Sequence, residues 1–225
     1  MAQGNRFDDM VGDSADENTT NEDNAVSTDA LSDYSNEMQL DQDDIMIPRL
    51  KIAQGQTAEV QSGDARPGNF VVPGEGVFDE VTVIPLKFAK RRELRTEERD
   101  VLCSSTDAVH GVGEPGGLCK TCPEARWTDE GTRRVPPTCD FEYSYLVYIV
   151  EAEIAAVLSI RRTSLPAGRK MNTSLMRHGL GKAAFRLTTN QRKSGRYTWY
   201  VLNVEPSEMT KELAEKTQSD LLLGV

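Results

Sequence analysis

FEYSYLVYIVEAEIAAVLSIR, residues 141–161, sets the architecture. Phe141 to Val150 is apolar on both faces, which is what a strand at the centre of a sheet needs. Beyond it Ile154, Ala156, Leu158 and Ile160 alternate with Ala155, Val157, Ser159 and Arg161, the period of a second strand. Glu151 to Glu153 is left as the connecting turn, although it lacks the Asn-Gly or glycine-rich chemistry of a tight hairpin.

Working outward, the segment after Arg161 reads as a helix. Thr163 or Ser164 can cap it, Pro166 suits its first turn, Met171 and Leu175 share a face, and Gly179 and Gly181 can end it. Two strands follow, Ala184 to Thr189 and Tyr197 to Glu205, joined by NQRKSGR with Ser194-Gly195 as the turn. In the first, Phe185 and Leu187 face inward and Arg186 outward. In the second, Tyr200, Leu202 and Val204 oppose Trp199, Val201 and Asn203. Upstream, VTVIPLKFAK makes Val81 to Thr96 a long strand, with Pro85 marking a bend, bulge or edge. Order begins near Ile45 to Gln54, and Phe70 to Val72 is a short strand. Residues 103–139 are poor in apolar residues and rich in glycine, an insertion between strands. The resulting order predicts a mainly β chain: an OB-fold-like five-stranded barrel with a helix between strands 3 and 4. Its loops between strands 1 and 2 and between 4 and 5 flank an oligonucleotide-binding face. The domain spans 45–206, and residues 207–225 form a C-terminal helix or tail, with a Ser207 cap and Met209, Leu213 and Leu221 on one stripe.

Charge is distributed unevenly. The chain carries −10 in total, but residues 1–45 hold thirteen acids and one base, a net −12, so the remainder is +2. Residues 1–44 are polar, acidic and too poor in large apolar groups to offset the entropy of ordering, which predicts a disordered arm. By contrast, residues 161–200 hold ten Lys and Arg and no Asp or Glu, with Tyr197 and Trp199 among them. Cations for phosphates and rings for bases are the components of a single-strand site. The candidate nucleic-acid residues are Arg161, Arg162, Arg169, Lys170, Arg177, Arg186, Arg192, Lys193, Arg196, Tyr197 and Trp199, with Lys87, Lys90, Arg91 and Arg92 from the long strand; the cysteine loop flanked by Lys90 to Arg92 is expected as an opposing jaw. The alternative for such a run is a solvated charged face, which ordinarily mixes both signs.

Cys103, Cys119, Cys122 and Cys139 read C-x15-C-x2-C-x16-C. One Cys-x-x-Cys knuckle with two distant cysteines suits structural zinc and would staple the insertion; reduced cysteines are the alternative. Four thiolates leave no vacancy for catalysis, and neither the deaminase signature nor a Walker loop is present. His110 and His178 are the only histidines, and each reads as a surface or groove residue, so no enzyme is expected. The most apolar region, Tyr145 to Ile160, is broken by Glu151 and Glu153, so no membrane span is expected. The N-terminus is no secretory signal, which suggests a cytoplasmic protein.

From IPRLKIAQ through TCDFEYSYLVYIV to SIRRTSLPAGRKMNT and YTWYVLNVEP, the chain resembles phage-encoded OB-fold single-stranded DNA-binding proteins, including relatives that act as cofactors for a phage RNA polymerase. The resemblance implies sequence-tolerant binding of single-stranded DNA in an infected bacterial cell, during replication, recombination or transcription, with self-association along the strand. In this chain the acidic arm precedes the domain, whereas in such proteins it usually follows. The alternative function is an adaptor or transcription cofactor that docks a phage or host polymerase through the acidic arm or the C-terminal helix.

Overall fold

The computed structural model describes residues 46–222; the expected disorder of 1–44 lies outside the described residues. In chain order the elements are β1 (Arg49–Ile52), α1 (Ala58–Gln61), β2 (Phe70–Val72), β3 (Gly76–Phe78), β4 (Val81–Arg95), β5 (Val101–Ser105), β6 (His110–Gly113), β7 (Gly117–Leu118), β8 (Thr128–Glu130), β9 (Arg133–Val135), β10 (Asp140–Ile149), β11 (Ile154–Arg161), α2 (Leu165–His178), β12 (Ala184–Ser194), β13 (Tyr197–Ser207) and α3 (Lys211–Leu222). Short 3-10 turns at Pro123–Ala125 and Arg162–Ser164 precede β8 and α2.

Among the described residues eleven strands form one mixed sheet, running β3-β2-β1-β11-β10-β4-β5-β6-β7, with β12 bonded to both β4 and β13; β8 and β9 make a separate pair. Among the described residues, β1 against β11 is the one parallel pairing, joining Arg49 with Val157 and Leu50 with Leu158. β4 is the pivot. One edge of it follows β10 from Val83 to Glu93. Its other edge is shared, with Val81 to Val83 against β12 and Arg92 to Arg95 against β5. The register between β4 and β10 slips at Leu146 and Val147, opposite Pro85, so the proline sits at a bulge, where its missing N–H does least harm.

The main core is built from alternate residues of these strands. Val81, Val83, Tyr145, Val147, Ile149, Phe185 and Leu187 are essentially inaccessible to solvent. Met171 and Leu175 of α2 bury against them, and Gly168 allows the approach: a Cβ there would lie 2.6 Å from the Tyr143 ring. Deep within, Tyr145 donates its hydroxyl to Asn172 Oδ1 at 2.7 Å, and burial pushes its phenol well above the usual range. On the opposite face Met209 and Leu213 pack against Ile84, Tyr148 and Ala184, which docks α3 on the domain.

Several expectations need correction. The sheet has more strands than five and, among the described residues, does not close into a barrel, because β13 bonds to β12 alone. At the open seam Gln54 supplies what a strand would: its Nε2 donates to Tyr200 O and its Oε1 accepts from Tyr200 N, both at 2.9 Å. Gly68, at φ +100°, lies flat on the Tyr200 ring, where a Cβ would stand 2.6 Å away. The insertion is not a bare loop but a meander of short strands, β5 to β9. The last hairpin runs through Ser194 and Ser207, further than apolar alternation predicts, because the β12–β13 ladder continues where its side chains are polar. Ser164 does not cap α2 with its side chain; its Oγ accepts from Leu202 N at 3.1 Å. Ser207 belongs to β13, and Thr210 Oγ1 accepts from Leu213 N in its place.

Candidate nucleic-acid interface

β1, β11 with the turn after it, and the start of β13 enclose a groove of about 870 Å³ along the open seam. Alternation builds its first wall: in RLKI, Leu50 enters the core while Arg49 and Lys51 stay exposed and turn to the groove. Arg161 ends β11, Arg162 opens the 3-10 turn after it, and Arg196 comes from the turn before β13. Tyr197, Trp199 and Tyr200 complete the lining, which among the described residues contains no Asp or Glu. Arg196 lies over the Tyr197 ring at 5.2 Å and donates to its hydroxyl at 3.1 Å.

Not every cation of the groove is free. Arg161 bonds to Glu142, and Arg162 makes two bonds to Asp140, at 3.1 and 3.0 Å. Among the described residues, two buried side-chain polar atoms have no hydrogen-bond partner, Ser159 Oγ and Trp199 Nε1. Both residues line this groove. An unpartnered buried polar atom costs about 1–3 kcal/mol, so the groove carries two polar groups that folding leaves unanswered.

Trp199 is also shared with an adjacent cleft of about 400 Å³, lined by Lys170, Asn190, Arg192 and Asn203. There Lys170 donates to Val204 O at 2.6 Å. Of the residues expected from sequence, the structure therefore brings Arg161, Arg162, Arg196, Tyr197 and Trp199 to the groove, and Lys170 and Arg192 to the cleft beside it. Lys193 is exposed near the tip of the β12–β13 hairpin, and Arg169 and Arg177 are exposed on α2; none of the three lines either concavity. Arg186 faces outward, 2.8 Å from Glu205 and 3.7 Å from Glu80. Its bond, followed by one from Asn203, holds the Glu205 carboxyl below its ordinary range.

The expected opposing jaw lies elsewhere. Lys87, Lys90, Arg91 and Arg92 occupy the outer part of β4, outside the groove lining, and Arg92 stands 5.2 Å over the Phe141 ring. Arg49 and Lys51 are the groove residues that sequence reasoning missed. The signal was the alternation in RLKI, two cations on the face opposite one buried leucine.

The four cysteines are unpaired and line a single small cavity of about 10 Å³, with Leu94, Gly111 and Arg92 around it. Among the described residues, no group of three or more His, Cys, Asp or Glu already has the geometry to hold a metal. His110 is turned away to Asp107, 3.6 Å from its carboxylate. The backbone N–H groups of His110 and Val109, then the Ser105 hydroxyl, hold that carboxyl far below its usual range.

A family model described as Pam3 phage gp34-like protein matches residues 17–221. Comparison with curated proteins and with solved structures gives no match. No described helix is long and apolar enough to cross a membrane.

Proposed function

We propose that this chain, which belongs to the Pam3 phage gp34-like family, binds single-stranded DNA without catalysing a reaction, and that the open seam is where the strand lies. The observation that carries this reading is the groove lining: five Lys and Arg, three aromatic rings and no carboxylate among the described residues. Phosphates would meet Arg49 and Arg196, the groove cations with no carboxylate partner among the described residues, together with Lys51, and bases would stack on Tyr197 and Trp199. Lys51 reaches Glu59 at 2.6 Å, but that pair is exposed and gives way to phosphate at little cost, so Arg49 and Arg196 are the firmer phosphate contacts.

The strand order supports an OB-like reading. Taking β4, β10, β11, β12 and β13 as the five strands, the first pairs with the second and fourth, the second with the third, and the fourth with the fifth. α2 falls between the third and fourth. In this reading β1 and Gln54 fill the gap where the third and fifth strands would meet, leaving a partly open barrel, as that fold tolerates. A sequence-tolerant single-strand binder of this kind would serve phage replication, recombination or transcription.

Fluorescence anisotropy with single-stranded DNA, duplex and RNA across a salt series tests the proposal. The expected result is a preference for single strands, with log affinity falling by about 0.7 per phosphate contact for each log unit of salt. Equal, weak binding to all three probes at low salt would overturn it, and would turn attention to docking of a polymerase.

A further inference from the structure

We propose that Cys103, Cys119, Cys122 and Cys139 hold one structural zinc ion as a tetrathiolate, and that Arg92 serves this centre rather than a nucleic acid. Three separate segments deliver the ligands: β5, the turn after β7, and the residue before β10. Each is fixed by bonds that do not involve the sulfurs. Cys119 N donates to Val109 O at 2.9 Å, and Thr121 N and Cys122 N both reach Leu118 O, which turns the knuckle back on itself. Arg126 Nη2 holds Lys120 O inside the knuckle at 2.7 Å, and Cys139 N donates to Glu124 O at 2.9 Å.

Glycines bring the backbone close around the thiols. A Cβ on Gly111 would lie 2.8 Å from Cys103 Sγ, and one on Gly113 would lie 2.1 Å from Leu102 O. The cavity the thiols surround, about 10 Å³, has room for one small ion and little else. Binding draws the sulfurs inward to Zn–S contacts of about 2.3 Å, releasing a proton from each thiol. Four thiolates around a divalent ion leave the centre with two negative charges. Arg92 lines the same cavity as the four thiols, so its guanidinium is the cation at hand to balance that excess charge.

The test uses the full chain, purified under reducing conditions and equilibrated with zinc, then freed of unbound ion. Elemental analysis should find about one zinc per chain, released when a mercurial reagent modifies the thiols. Replacement by cobalt(II) should give the charge-transfer and d–d bands of tetrahedral thiolate ligation. Cys122→Ser should lose the metal, and Arg92→Ala should bind it but yield it faster to a chelator. Because Cys122→Ser risks misfolding, the cobalt spectrum of the unaltered chain decides. No zinc above background with no thiolate–cobalt spectrum would overturn the proposal, as would a disulfide between any of the four, or iron with acid-labile sulfide. Release from Arg92→Ala at the rate of the unaltered chain would overturn the role of Arg92. None of these readouts involves DNA, so they stand apart from the binding proposal.

Discussion

The two ends of β4 are held by different physics. From Val81 to Pro85 the strand lies between β10 and β12, and Val81, Val83 and Ile84 are fully buried. From Leu86 to Arg95 it projects between β10 and β5, and only Leu94 is buried. A single strand thus passes from a body with a hydrophobic core into an arm with almost none. Apolar burial is the main favourable term in folding, so the arm has to draw its order from its ladders and, under the zinc proposal, from the ion its four cysteines would hold.

The largest expected effect sharpens that contrast. Tyr145→Ala should remove about 3–5 kcal/mol from the whole domain, the range for deleting a buried aromatic ring, measured by urea unfolding. Leu94→Ala should leave that midpoint in place; an equal loss would show that arm and body unfold as one. Next comes treatment of the zinc-equilibrated chain with a chelator, to remove the proposed ion, followed by hydrogen exchange. Amides of residues 101–139 should lose protection, whereas those of β11 and α2 should keep theirs. Loss of protection everywhere would erase the distinction.

A third prediction concerns which part touches nucleic acid. Trp199→Ala should weaken single-strand binding by about 1–3 kcal/mol with little change in salt slope, while Lys90→Ala should leave affinity nearly unchanged. The reverse pattern would move the site to the arm. Gln54→Ala should cost about 1–2 kcal/mol in thermal or urea unfolding through its two lost bonds. The smallest effect belongs to Arg186→Ala: because Glu205 and Glu80 already answer its charge, the salt slope should stay within error of the parent.

Much of the body could be read from its residues. The β10–β11 pair, the helix bearing Met171 and Leu175, and the irregularity at Pro85 all follow from periodicity and from the missing N–H of proline. What escaped was pairing between distant segments. Four residues, RLKI, do not reveal that they will lie parallel to a strand more than a hundred positions later, because parallel neighbours leave no turn signal between them. The same holds for charge. Counting acids between residues 161 and 200 gives none, yet folding brings Glu142 to Arg161, Asp140 to Arg162 and Glu205 to Arg186. Strand register set those neighbours, and register is a property of partners rather than of a stretch. The polar half of β12 was missed for a related reason: its side chains look like a loop, while its backbone is fully laddered to β13.

The carboxamide of Gln54 joins the two edges of the seam with one donor and one acceptor, both used on Tyr200. That makes the joint vulnerable to chemical ageing. Hydrolysis of this single amide to the acid would exchange the donor for a second acceptor facing the Tyr200 carbonyl and add a negative charge among the cations of the groove. One deamidation, a mass change of about one dalton, would loosen the seam and oppose phosphate at the same time, so preparations stored warm and alkaline should fade in binding before they unfold.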